Sequence, residues 1–231
     1  MSDKNFTIVG ERCSGTNWLQ SILENNFTFK FQPNEKYGLK NGADRWKHFW
    51  GFPNSDKIFK ESNDRIHFLI VRDPYHWIHS MYKRKPHIEH NLLPFREWLK
   101  SEFYSTYKDG KTFKEIVSLK DKYEAGIFID RKADNKRFKN IFELREYKSR
   151  YMLEKIPSLI DDFYFIRYEN LINRTGEVLL DIKEKFNLKL KSPIIKWKSV
   201  DGNKHLIKRD NYELIKKNLN PVIESRLGYK I

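Results

Sequence analysis

Gly10-Glu11-Arg12-Cys13-Ser14-Gly15-Thr16-Asn17, directly behind Phe6-Thr7-Ile8-Val9, is the stretch on which the fold turns. A β-branched and aromatic run stops at a glycine-containing loop. Trp18, Leu19, Ile22 and Leu23 then recur at helical spacing. Strand, glycine loop, helix is the context in which backbone N–H groups and a helix N-terminus cradle a phosphate. The spacing from Gly10 to Gly15 fits a phosphate-loop frame, but Thr16 stands where a nucleoside-triphosphate loop carries Lys. That residue argues against ATP or GTP hydrolysis and toward a related nucleotide.

A second element has the same form. Ile66-His67-Phe68-Leu69-Ile70-Val71 is a nearly continuous apolar run that suits a buried parallel strand. Arg72-Asp73-Pro74 follows, with Asp73 suited to an N-cap and Pro74 to the first helical position. Trp77, Ile78, Met81 and Tyr82 make an apolar helical face, and Ser80 lies eight residues after Arg72.

Together these elements resemble the sulfotransferase family that uses 3′-phosphoadenosine 5′-phosphosulfate. In that family a Ser-Gly-Thr loop after the first strand binds the 5′-phosphosulfate, which corresponds here to Ser14-Gly15-Thr16 with Asn17 and Trp18. An Arg at a strand end and a Ser eight residues on bind the 3′-phosphate, which corresponds to Arg72 and Ser80. Arg167-Tyr168-Glu169-Asn170-Leu171, behind Phe163-Tyr164-Phe165-Ile166, is similar to the family's late Tyr-Glu-x-Leu strand end. Glu224 to Leu227-Gly228-Tyr229 has its terminal look. The resemblance implies an α/β fold with a parallel sheet flanked by helices on both faces. It also implies a transferase moving a sulfuryl group to an acceptor hydroxyl or amine without a metal.

The chain has 231 residues, which is most simply one domain with a sizeable core. Its 45 Lys and Arg against 31 Asp and Glu give a net charge of +14, which suits an acidic partner. The phosphosulfate cofactor takes part of that charge; an anionic acceptor such as an acidic glycan is a candidate for the rest, nucleic acid a weaker one. The alternative is a solvated basic surface. One cysteine, Cys13, excludes an internal disulfide framework, and Cys and His are too scattered for a zinc cluster. No apolar run reaches the length of a membrane span, and Met1-Ser2-Asp3-Lys4-Asn5 has no signal-peptide core. The expectation is a soluble, cytoplasmic protein.

Along the chain the pattern predicts a strand at 6–9, the loop 10–16 and a helix at 17–25. Residues 26–64 read as irregular with a short strand near 45–49. A strand at 65–71 and a helix at 74–84 follow. Residues 86–140 are polar, basic and aromatic, and predict a lid or substrate-side insertion with helical pieces at 95–103 and 113–123. A helix at 142–156 ends before Pro157. A strand at 163–168, a helix at 175–186, a Lys-rich loop at 196–209 and a final helix near 210–227 complete the chain. Strands alternating with helices predict a parallel sheet whose ligands sit at the carboxyl ends of the strands.

Sulfuryl transfer needs charge stabilisation on the leaving phosphate and a base for the acceptor's proton. The resemblance places a catalytic Lys immediately before Ser-Gly-Thr, but this chain carries Cys13 there. Arg12 is the substitute cation. Cys13 is either a reactive thiolate at a helix N-terminus or a small residue packed in the loop. For the base, Lys47 and His48 in Trp46-Lys47-His48-Phe49-Trp50 are similar to the family's strand-end Lys and His, although adjacent here. On a regular strand neighbours point to opposite faces, so both reach one site only if the strand has ended. Glu11 is the reserve base. Trp46, Trp50, Tyr168 and Trp197 are candidate faces for the adenine. Lys204, beside the Gly202-Asn203 turn, is the favoured late cation over the 3′-phosphate among Lys198, Lys204, Lys208 and Arg209. Arg145 and Lys148, three apart, read as a solvated helix face or an anion contact. His67 reads as structural. A phosphate-loop kinase and a non-catalytic nucleotide- or RNA-binding protein on the same fold are the alternatives.

Overall fold

The computed structural model describes residues 5–32, 46–48, 50–51, 55–84, 93–103, 132, 136–191, 193–195 and 209–231. Among the described residues three parallel strands form the sheet: β1 (Asn5–Gly10), β2 (Arg65–Val71) and β3 (Phe163–Arg167), with β2 between the other two. Gly10 stands opposite Ile70 and Val71 opposite Arg167, so all three carboxyl ends meet at one edge. Phe31 adds a single parallel bridge to Phe6 on the outer side of β1.

Strand alternation puts Phe6, Ile8, Phe68, Ile70 and Ile166 on one face of the sheet. That face packs on α1 (Thr16–Asn26), through Leu19, Ile22 and Leu23, and on α7 (Thr175–Phe186), through Val178, Leu179 and Ile182. Val9, Leu69 and Val71 face the other way. They meet Phe59 of α2 (Ser55–Glu61), Trp50, Met152, Ile156 and the C-terminal residues Ile223 and Leu227. Each fully buried aliphatic or aromatic side chain contributes about 1.5–3 kcal/mol, so the two layers fix the sheet from both sides. A third apolar cluster joins α3 (Pro74–Arg84), α4 (Phe95–Trp98), α5 (Ile141–Arg150) and α8 (Arg209–Asn218). The fold is the expected α/β arrangement.

Several boundaries differ from the sequence pattern. Where the pattern predicts a short strand near 45–49, the described residues 46–48 form a 3₁₀ turn. Residues 26–64 include α2, whose Ser55, Ile58 and Phe59 are buried and which a short amphipathic stretch concealed. Helical backbone does not stop before Pro157. Beyond α5 it widens into a π turn, Tyr151–Lys155, and then tightens into a 3₁₀ turn, Ile156–Ser158. Pro157 has no N–H to return to the preceding turn, and the ladder shifts ahead of it, with Ile156 N–H bonding the Tyr151 carbonyl. β3 ends at Arg167, and Tyr168 opens a short helix, α6 (Tyr168–Asn173). The final helix is two, α8 and α9 (Pro221–Arg226): Pro221 starts the second, and Asn220 Oδ1 caps it by accepting from the amides of Val222 and Ile223. In 95–103 the helix covers only α4. The piece at 113–123 lies outside the described residues.

Candidate functional site

The site is built where the carboxyl ends of β1, β2 and β3 meet. Gly10 must be glycine. A Cβ there would lie 2.5 Å from Ile70 Cγ2 and 2.8 Å from the Ile70 carbonyl oxygen of the adjacent strand. The loop then turns tightly, with Ser14 N–H donating to the Glu11 carbonyl at 3.1 Å. Cys13 (φ 65°) and Gly15 (φ 90°) take left-handed conformations, the kind of alternation that curls backbone amides around an anion. Gly15 is the N-cap of α1 and among the described residues no side chain caps that helix, whose first turn carries no acidic residue. The positive end of the α1 dipole therefore opens at the loop.

Arg72 follows β2 and reaches across to this loop. One terminal nitrogen of its guanidinium donates to the Cys13 carbonyl at 3.0 Å and to Ser80 Oγ at 3.2 Å. The pair spaced eight apart in sequence thus meets at the rim of the phosphate loop. Arg72 also lies 4.7 Å above the Tyr168 ring, which stands edge-on to Trp18 at 5.5 Å. The Tyr168 ring would be 2.5 Å from a Cβ at Gly15, so the loop is pressed against it. Ser14, Gly15, Thr16, Trp18, Arg72, Ser80 and Tyr168 form one cluster.

The strand-end motifs are locked together by their acidic residues. Asp73 Oδ1 caps α3 by accepting from His76 N–H at 3.0 Å. Burial works against the Asp73 carboxylate, but the hydrogen bonds from His76 hold its pKa below the ordinary range; the same contact raises that of His76. Glu169 accepts from the Asp73 amide and from the Tyr229 hydroxyl, both at 2.9 Å. Burial and then Glu169 push the Tyr229 phenol up. The late Tyr-Glu motif and the chain's terminal segment thereby serve as struts for Arg72.

In the 3₁₀ turn Lys47 reaches the first turns of α1 and His48 the Gly10 carbonyl, neighbours that a strand would oppose. Lys47 is buried and donates to Asn17 Oδ1 at 3.0 Å and Gln20 Oε1 at 2.5 Å. His48 Nδ1 is 2.6 Å from the Gly10 carbonyl oxygen. A carbonyl only accepts, so Nδ1 carries a proton, and in the neutral tautomer Nε2 keeps the lone pair.

Two cations that resembled a solvated surface are buried. Arg145 makes a two-pronged pair with Glu224 at 2.5 and 2.7 Å and donates to the Arg72 carbonyl at 3.1 Å. Burial opposes its charge, but Glu224 more than compensates and its pKa is raised. Lys148 donates to Glu11 Oε1 at 2.6 Å and to the His48 carbonyl at 2.9 Å. Glu11, the reserve base, is therefore in a buried ion pair. A sequence signal for this existed: 141, 144, 145 and 148 form one helical stripe, so the cations extend the apolar face of Ile141 and Leu144. Glu11, Ser14, Arg72, Trp77, Arg145 and Lys148 help to line a cavity of about 20 Å³, room for one water.

Arg12 is buried, and its carbonyl accepts from Trp77 Nε1 at 2.9 Å. Cys13 is half-buried against the third apolar cluster. Trp50 is core: it is 1% exposed and its Nε1 donates to the Lys148 carbonyl, so it offers no face to an adenine. Lys198, Lys204, Lys208, Trp197 and the side chain of Trp46 lie outside the described residues, whereas Arg209 begins α8. His67 is structural. It is fully buried, 2.9 Å from Ser62 Oγ, and desolvation lowers its pKa to about 4. Among the described residues no helix is long and apolar enough to cross a membrane.

No protein-family model matches the sequence, and comparison with curated proteins gives no match. Among solved structures the chain is similar to the crystal structure of mouse sulfotransferase SULT7A1 complexed with PAP. The two share 13% identity at a TM-score of 0.42, over 96% of this chain and 66% of the mouse chain, just under two thirds of it.

Proposed function

We propose that this chain is a sulfotransferase that moves the sulfuryl group of 3′-phosphoadenosine 5′-phosphosulfate to an acceptor hydroxyl or amine. The observation that carries the proposal is Arg72. It bridges the Cys13 carbonyl and Ser80 Oγ at the rim of a glycine-capped helix N-terminus. A guanidinium has five N–H donors in a rigid fork, suited to a phosphate. A cation beside, rather than within, the phosphate loop fits a nucleotide carrying a second phosphate on its ribose.

In this proposal the loop from Arg12 to Trp18 holds the 5′-phosphosulfate on backbone amides, the Thr16 hydroxyl and the α1 dipole. His48 Nε2 takes the acceptor's proton as sulfur bonds the acceptor oxygen or nitrogen and its bond to the bridging phosphate oxygen breaks. Adenosine 3′,5′-bisphosphate leaves. Arg12 supplies the cation that Cys13 cannot, with Lys47 fixing Asn17 at the first turn of α1. Tyr168 and Trp18 offer the aromatic edge, Lys204 the late basic contact. No divalent metal is required, and the setting is a single cytoplasmic domain. The acceptor is a small molecule or a glycan, with anionic glycans favoured by the net charge of +14.

Adenosine 3′,5′-bisphosphate is expected to raise the melting temperature more than 5′-AMP does, with or without EDTA. One charge-assisted contact is worth about 1.5–3 kcal/mol, roughly tenfold or more in affinity. Equal shifts would remove the assignment of Arg72 and Ser80; a shift abolished by EDTA would favour the kinase. Labelled-sulfate transfer onto phenols, amines and acidic glycans tests catalysis. Bisphosphate binding without transfer to any of them favours the non-catalytic binder.

A further inference from the structure

Three segments distant in sequence meet at one buried ammonium. Lys148 Nζ lies 2.6 Å from Glu11 Oε1 in the phosphate loop and 2.9 Å from the carbonyl of His48 in the 46–48 turn. It also sits 4.6 Å over the Trp50 ring. Its side chain is 2% exposed. Burying an ion pair is expensive, and an apolar residue of similar length is often as stabilising. Stability alone does not account for a lysine here, whereas the need to hold two particular acceptors at a fixed separation does.

His48 is thus gripped at two points, by Gly10 through its ring and by Lys148 through its carbonyl. Both grips lead back to residues 10 and 11 of the same loop. We propose that Lys148 is a positioning residue: it fastens the turn bearing His48 to the phosphate loop through Glu11, and so sets where His48 Nε2 stands relative to the transferred group. The catalytic consequence rests on the sulfotransferase proposal; the geometric one does not. Without Lys148 the His48 carbonyl loses its tie to Glu11, and the ring contact with Gly10 loosens with it. The adjoining cavity gives the loop space to shift.

Lys148→Met keeps the length and removes the charge. The expected result is a fall in kcat of about 10²-fold, the usual consequence of ~1 Å misplacement, with the affinity for adenosine 3′,5′-bisphosphate changed less than about threefold. A parallel loss of kcat and affinity would overturn the proposal, since it would mean simple collapse of the loop. Because Lys148→Met leaves Glu11 buried and unpaired, the double variant Lys148→Met/Glu11→Gln is examined for melting temperature and for the imidazole N–H resonance of His48. The melting temperature is expected to recover while the downfield Nδ1–H signal broadens or disappears, the ring being released from Gly10. A wild-type His48 signal in the double variant would overturn the proposal. That resonance is read without substrate, so its outcome is separate from the failure of sulfate transfer.

Discussion

Arg145 and Lys148 lie three residues apart on α5, are both buried, and brace opposite ends of the site. Arg145 engages Glu224 with a two-pronged fork, the Arg72 carbonyl, and the faces of Trp77 and Tyr229. Its surroundings suit a planar, delocalised cation held in one orientation. Lys148 touches Glu11 and the His48 carbonyl with a compact point charge. The end bearing Arg72 is over-determined, since Glu169, Tyr229 and Glu224 all converge on it. The end bearing His48 is held by Gly10 at its ring, by Lys148 at its carbonyl, and by Lys47 on Asn17 and Gln20. The proposed nucleotide-anchoring side is thus braced through the C-terminal segment and the proposed proton-transfer side through the phosphate loop.

The largest expected effect falls on the Arg72 end. Arg145→Met should cost about 3–5 kcal/mol in urea unfolding, because Glu224 is left buried without its partner. Adding Glu224→Leu should recover most of that loss. If Lys148→Met proves more costly than Arg145→Met, the contrast between the two ends is reversed.

A second measurement asks whether acid sensitivity comes from the site or from the remote half of β2. His67 titrates at about 4 in the folded chain, lowered from 6.5 chiefly by desolvation. The unfolded chain therefore takes up the proton first as pH falls. The contribution of neutral His67 is complete above about pH 6.5 and is lost progressively toward pH 4, amounting to roughly 3 kcal/mol. His67→Gln should flatten the stability curve across that window. An unchanged slope would mean that groups at the site end, and not the far end of β2, govern acid unfolding.

The two ends also differed in how plainly the sequence spelled them. The loop and the Arg72 corner were legible because each is contiguous: an apolar strand, a breaker, then a periodic helix, with Asp73-Pro74 marking the second start. The late Tyr-Glu motif was visible as a pattern, but its job of holding the Asp73 amide and Tyr229 depends on contacts between remote segments. The clamp at His48 was hidden for two reasons. A short aromatic run does not distinguish a strand from a 3₁₀ turn, and the difference decides whether Lys47 and His48 can share a loop. Arg and Lys usually mark solvent, so the placement of 145 and 148 in the apolar stripe was outweighed by residue type. The break between α8 and α9 was written openly in Asn220-Pro221, a stop followed by a capped start, and helical periodicity across it obscured the signal.

The anchoring end can be tested directly at Arg72. Arg72→Ala removes the guanidinium that spans Cys13, Ser80 and Tyr168. Affinity for adenosine 3′,5′-bisphosphate should fall by about 1.5–3 kcal/mol, measured by calorimetry, while affinity for 5′-AMP changes little. Equal losses for both nucleotides would mean that Arg72 acts by shaping the loop and not by meeting a second phosphate.

The smallest effect is expected where the two ends touch. Cys13 offers its carbonyl to Arg72, and its own backbone is left-handed at φ 65°, a conformation that glycine adopts without cost. For an L-residue it costs roughly 1–2 kcal/mol. Cys13→Gly relieves that strain but loosens the unfolded chain and gives up the half-buried thiol's packing against the third apolar cluster. The opposing terms should leave a gain of no more than about 1 kcal/mol in urea unfolding, with sulfate transfer and bisphosphate affinity retained. If the thiolate itself takes part in the chemistry, Cys13→Gly should instead abolish transfer while bisphosphate still binds. That outcome would move the reactive end of the site from the His48 turn into the loop, and the contrast between a braced anchor and a clamped base would give way to a single centre built on residues 12–16.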